Sequence, residues 1–182
     1  MKNYLKKNTE KGFTLIELIL VIALLGISVT ITNDILVSLI RSNNKTQVIN
    51  EIEQQANFVS LKIEKELRNA RVVNEPLATD INGGKTLIFL TRDGSTIQYD
   101  VDTDTGVMSR TLNGGTKYNL TSNAIPGGVL VSCGSPNCFS VLGYNPQIIN
   151  MNINFNQAQP TPTSSYTGSI SIKSTVVIRN TY

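Results

Sequence analysis

Sixteen lysines and arginines against thirteen acids leave this 182-residue chain at a formal charge of +3, with two cysteines and neither histidine nor tryptophan. The lack of histidine excludes Ser-His-Asp and Cys-His nucleophile activation, and two cysteines with no histidine cannot complete a four-ligand zinc site. No phosphate-cradling G-x-x-x-x-G-K and no G-x-S-x-G stands anywhere in the chain.

The chain opens on a short head holding Lys2, Lys6, Lys7 and Lys11 against Glu10, followed by an apolar run from Phe13 to Ile31. Those 19 residues are close to the ~20 that cross a bilayer as a helix. The pattern resembles an export signal, but no small-residue cleavage site follows it, and further apolar residues run from Ile35 to Ile40. The segment is therefore expected to stay and span the membrane. The lysine-rich head would lie in the cytoplasm and everything past about Ser42 outside it. One carboxylate, Glu17, stands inside the apolar run with no base near it on the same helix. A charge there costs ~2.5–3.5 kcal/mol even on lenient insertion scales, which marks it as a functional candidate in need of a partner.

The run Gly12-Phe13-Thr14-Leu15-Ile16-Glu17, behind a basic leader and at the head of an apolar helix, closely resembles the N-terminal signature of the type IV pilin and pseudopilin family. The resemblance implies cleavage between Gly12 and Phe13 by a prepilin peptidase and N-methylation of Phe13. It also implies that Glu17 is an assembly residue, paired with the Phe13 amine of a neighbouring subunit. Glu17 would further be favoured by the helix macrodipole, by about 0.3–1 kcal/mol. The competing reading is an uncleaved signal anchor in which Gly12 is only a flexible joint. Loss of residues 1–12 would leave 12 basic and 12 acidic residues, so the positive charge belongs to the leader and does not point to nucleic acid.

Past the apolar run, Val48, Ile52, Ala56, Val59, Ile63, Leu67 and Ala70 recur at steps of three or four and form one apolar stripe. The opposite side carries Glu51, Lys62, Glu64, Lys65 and Arg68, with Glu64 and Arg68 at i,i+4. The helix is expected to continue to about Val73, Pro76 ending it at the latest. A helix from Phe13 to Val73 would be roughly 90 Å long. Asn33 and Asp34 stand where many major pilins carry a helix-bending proline.

From Lys85 the period turns alternating and β-branched. Residues 86–91, 95–101 and 106–112 read as strands joined by Arg92-Asp93-Gly94 and by 102–105. Residues 127–132, 148–155 and 169–179 add three more, and the proline-bearing 159–165 reads as a mobile hairpin tip. The expected fold is α+β, with a long N-terminal helix, transmembrane in its first half and amphipathic in its second, packed on a C-terminal antiparallel β-sheet head. Its parts would be a leader (1–12), a transmembrane and assembly helix (13–41), an amphipathic helical half (42–73) and a β-rich head (74–182). The hairpin of residues 97–101 and 106–110, and the helix end 63–71, are similar to the minor pseudopilins of the J type and related minor pilins.

Cys133 and Cys138 enclose Gly-Ser-Pro-Asn in the part expected outside the cytoplasm, where a disulfide persists; two free thiols are the alternative. Asp100, Asp102 and Asp104 invite a calcium reading, but an EF-hand loop counted from Asp100 would put Thr105 and Thr111 where glycine and glutamate are required. Asp102 and Asp104 read as turn formers, and no metal and no cofactor is expected.

The function expected is that of a structural, non-catalytic minor pilin or pseudopilin in a pilus, a type II secretion machine or a DNA-uptake filament. Its expected partners are the prepilin peptidase and methyltransferase, other pilin or pseudopilin subunits and the inner-membrane assembly platform. Direct nucleic-acid binding is not expected. An anchored extracytoplasmic binding or adhesion protein is the alternative, and an anchored enzyme a third.

Overall fold

The structure, a computed structural model, describes residues 12–78, 83–125, 127–158 and 168–178. Leader residues 1–11 and the 159–165 segment lie outside the described residues. The chain divides into two compact units, Met1–Ser42 and Asn43–Tyr182.

One helix, α1 (Leu15–Arg68), begins in the first unit and ends in the second. Across the first unit every described side chain is exposed, and the helix is long and apolar enough to cross a membrane. Three hydroxyls on this stretch are satisfied within it. Ser28, Thr30 and Thr32 donate their hydroxyls to the carbonyls of Leu24, Gly26 and Ser28 at 2.8, 2.9 and 2.8 Å. A helix that is apolar all round and bonds its own hydroxyls back to its backbone suits hydrocarbon as a solvent. It also runs through Asn33 and Asp34 without a break.

In the second unit the helix becomes one-sided. Ile52, Ala56, Val59, Ile63 and Leu67 are buried, and Val48 packs partly against them, as the sequence stripe requires. Glu64 and Arg68 form the expected i,i+4 pair, at 3.9 Å. The helix does not reach Val73, however. It ends at Arg68, and the next residues form strand β1 (Ala70–Glu75). Ala70 is buried as predicted, but from a strand. The β-branched pair Val72-Val73 favours that state, and pairing with the neighbouring strand outweighs the continuing helical period.

Two antiparallel sheets complete the unit. The first is a meander in chain order: β1, β2 (Thr86–Thr91), β3 (Thr96–Asp102), β4 (Val107–Leu112) and β5 (Lys117–Asn119). The second is built on a long strand, β8 (Gln147–Gln157). β9 (Ser169–Ile178) runs along one edge of β8, while β6 (Val129–Cys133) and β7 (Phe139–Leu142) lie end to end along the other. The six strands read from the sequence are all present; β1, β5 and β7 are additional. Alternate residues of both sheets join the helical stripe in one apolar cluster, with Phe89, Tyr99, Phe139 and Phe155 among its largest members. This is the expected α+β arrangement of a long N-terminal helix followed by antiparallel sheets.

The sheets meet at a corner closed by one side chain. The amide of Gln147, buried at the start of β8, accepts from the Val73 backbone N–H at 2.8 Å and donates to the Val73 carbonyl at 3.2 Å. It thus acts as a one-residue strand on the edge of β1. Gln147→Ala leaves both Val73 groups buried and unpaired, which should cost about 1–3 kcal/mol. The check is urea denaturation of the detergent-solubilised chain followed by near-UV circular dichroism; an unchanged midpoint would show that the clasp contributes nothing.

Candidate functional site

The first turn of α1 gathers the residues singled out in the sequence. Gly12, Phe13 and Thr14 precede the helix outside regular secondary structure, no atom lies within 4 Å of a Cβ placed on Gly12, and Phe13 is 84% exposed. Among the described residues nothing packs against Gly12.

Glu17 is held by Thr14. The Thr14 backbone N–H donates to Glu17 Oε2 at 3.1 Å and the Thr14 hydroxyl donates to the same oxygen at 3.0 Å, while the Glu17 N–H faces Thr14 Oγ1 at 3.4 Å. This is a reciprocal capping box: each residue satisfies a backbone donor that the first turn leaves without a carbonyl. Thr-x-x-Glu ahead of an apolar run is the sequence signal of this local partner, which the expectation of a distant base for Glu17 leaves out. The box fixes the carboxylate without using it up. Both bonds fall on Oε2, and among the described residues Oε1 accepts nothing.

The other sequence candidates sit in the second unit. Cys133 and Cys138 stand at disulfide distance, with their Cα atoms 4.4 Å apart, and enclose the loop between β6 and β7. A single residue of β8, Asn152, faces that loop. Its N–H donates to the Cys138 carbonyl at 2.8 Å, its carbonyl accepts from Gly134 N–H at 2.9 Å, and its side-chain amide donates to the Ser135 carbonyl at 3.2 Å. A Cβ on Gly134 would overlap the Asn152 side chain. Asp102 caps the β3–β4 turn, as read, while Asp100 lies within β3. Asp102 accepts from the N–H groups of Asp104 and Thr105 and from the Thr105 hydroxyl, and Asp100 accepts from Thr86 and Lys117.

The helix end and the β3–β4 hairpin, noted separately in the sequence, are joined by Glu66. Its Oε2 accepts from the Tyr99 hydroxyl at 2.6 Å and from Arg110 Nε at 3.0 Å, and Lys62 Nζ lies 3.5 Å from Oε1. Burial works against the Glu66 charge, but the bonds from Tyr99 and Arg110 and the two cations more than offset it, holding the carboxyl below its ordinary range. Burial, and then Glu66 itself, push the Tyr99 phenol far up, so it stays a donor. A hollow of about 530 Å³ opens beside this cluster. Both of its acids are hydrogen-bonded, Glu66 as above and Asp93 to Thr91.

A family model described as the prokaryotic N-terminal methylation motif matches residues 7–32. No curated protein and no solved structure matches the chain. The motif supports the type IV pilin and pseudopilin family for this chain.

Because the folded carboxyl of Glu66 ionises below its unfolded value of about 4.3, its contribution is fully present above that pH and is lost as pH falls through the lower folded value. Glu66→Gln should cost about 1–3 kcal/mol at neutral pH and flatten the acid limb of the stability curve. Urea midpoints taken from about pH 7 down to about pH 3 would show it; parallel curves for the two proteins would rule it out.

Proposed function

We propose that the chain is a structural, non-catalytic subunit of an extracytoplasmic filament, a minor pilin or pseudopilin processed by prepilin peptidase between Gly12 and Phe13 and N-methylated at Phe13. The observation that carries the reading is the methylation motif over residues 7–32, set at the head of an apolar helix whose first turn holds Glu17 in place.

Cleavage exposes a cationic α-amino group on Phe13, with reference pKa about 7.7–8.0. This is the base that Glu17 lacks on its own helix. Thr14 keeps the Glu17 carboxylate oriented and leaves Oε1 for a donor from outside, and the neighbouring subunit's Phe13 amine is that donor. Pairing removes an unpaired acid from hydrocarbon, so a subunit entering at the right height is favoured over one that does not. The apolar residues between Leu15 and Ile40 supply the lateral packing. Farther along, Phe58 and Leu61 stand 55% and 66% exposed on the helix face away from the buried stripe, apolar surface that a helical bundle would cover.

Before assembly the protein is a single-pass membrane protein, leader in the cytoplasm and head outside, handled by the peptidase and the inner-membrane assembly platform. Two features support a minor over a major role. The helix end and hairpin similar to J-type minor pseudopilins are tied together at Glu66, and the helix runs unbent by proline through Asn33 and Asp34.

The intact mass and N-terminal sequence of the membrane-bound protein, with and without an active prepilin peptidase, test the processing. A chain starting at methylated Phe13 only when the peptidase is active is the expected result. A chain still starting at Met1 in both strains would make the segment a signal anchor and leave an anchored binding protein as the reading. Assembly has its own test: Glu17→Val should be cleaved normally yet be missing from sheared filaments, and normal incorporation would remove Glu17 from the assembly role.

A further inference from the structure

The register of the second sheet aligns its outward side chains into rows that run across β6 or β7, β8 and β9. Even-numbered residues of β8 face outward, because Ile149, Met151, Ile153 and Phe155 are buried beneath them. At one end stands an apolar row, Leu142, Ile148 and Val177, with Tyr144 70% exposed in the adjoining turn. The next rows are Ser140-Asn150-Thr175, then Asn152-Lys173, then Ser132-Asn154-Ser171. Leu130, Asn156 and Ser169 close the grid.

Three properties set this face apart from an ordinary solvated surface. Lys173 is its one charged side chain, where surfaces of small domains are about 25–35% charged. Its polar groups are held in place: Ser169, Ser171 and Thr175 donate their hydroxyls to the Oδ1 atoms of Asn156, Asn154 and Asn150 at 2.7, 2.6 and 2.8 Å. Asn152 is fixed by its bond to the Ser135 carbonyl. Finally, the asparagines repeat at every second residue of one strand, a pitch of about 6.8 Å. Fixed amide donors and hydroxyl acceptors lose little rotamer freedom when a ligand takes them up.

We propose that this face binds a neutral polysaccharide, laid along β8 with its hydroxyls on the asparagine amides and serine hydroxyls and its C–H surface on the Leu142-Ile148-Val177 row. The chemistry selects this occupant over others. An acidic glycan or a nucleic acid would need a row of cations, and Lys173 stands alone on the grid. A protein partner would need an apolar centre with a polar rim, whereas here the centre is polar and the apolar residues stand at the ends. The proposal is independent of the filament reading, since nothing in it uses the N-terminal turn.

The test is co-sedimentation of the full-length chain, held in a zwitterionic, sugar-free detergent, with microcrystalline cellulose and with chitin, and with dextran sulfate immobilised on beads as the charged control. Saturable, salt-insensitive binding to at least one neutral polymer is expected, with little to dextran sulfate. The double variant Asn150→Ala/Asn154→Ala should weaken that binding about tenfold or more. Ser171→Glu, at an exposed edge position, should do the same with the melting temperature unchanged, which separates loss of contact from loss of fold. The proposal is overturned by failure to bind either neutral polymer, by binding that salt abolishes, or by variants that bind like the parent. It is also overturned if sedimentation velocity finds self-association that Ser171→Glu disrupts, which would give the face to a second copy. Each of these results leaves the outcome of the N-terminal mass measurement unaffected.

Discussion

One helix must satisfy two solvents, and the sequence of α1 is divided accordingly. Where hydrocarbon is the surroundings, the exposed side chains are mostly apolar on every face, and the hydroxyls of Ser28, Thr30 and Thr32 turn back to the helix's own backbone. Where water is, the apolar positions shrink to a stripe, and Ile52, Val59, Ile63 and Leu67 each contribute about 1.5–3 kcal/mol by leaving it. The sheets lack a complete core without that stripe, since their inward residues close on it in a single cluster.

Polar groups around this arrangement serve placement more than chemistry. Glu66 is tied to Tyr99 and Arg110 and so sets the helix against the hairpin. Gln147 finishes the unpaired edge of β1 at Val73, where a further strand would otherwise be needed. Thr14 does for Glu17 what these contacts do in the head: it fixes an angle. The functional charge of the filament reading is thus embedded in an ordinary helix cap, and one residue can serve folding and assembly with different oxygens.

Most of the architecture was legible because its signals are local. The apolar run, the stripe and six alternating segments each announce themselves in a short window of sequence. What was missed depends on partners far away in the chain. Residues 70–75 continue a helical period and become a strand because β2 is there to pair with them. β5 is three exposed residues with no pattern to read, and β7 is four residues pressed between a disulfide loop and a turn. At the N-terminal turn the residues proposed for cleavage and assembly follow from a local resemblance, whereas the capping box is a bond between Thr14 and Glu17 that an expectation of a charged partner leaves out. The polar grid was half visible: asparagine at every other position of β8 is plain in the sequence, but the serines and threonine that fix it belong to β9, and only register brings them opposite.

The loop between β6 and β7 has a consequence for how the molecule can vary. Both strands take their alignment from β8, and the loop is held at its base by the Cys133–Cys138 pair and by Asn152. Everything between the cysteines hangs from a closed ring. A slip of β7 by one residue along β8 would turn Phe139 and Val141 outward and Ser140 inward, and the ring prevents changes at the loop tip from being passed on as such a slip. Ser135, Pro136 and Asn137 therefore form a stretch that lineages can rewrite, or an experimenter can replace with a tag, while the sheet beneath keeps its frame.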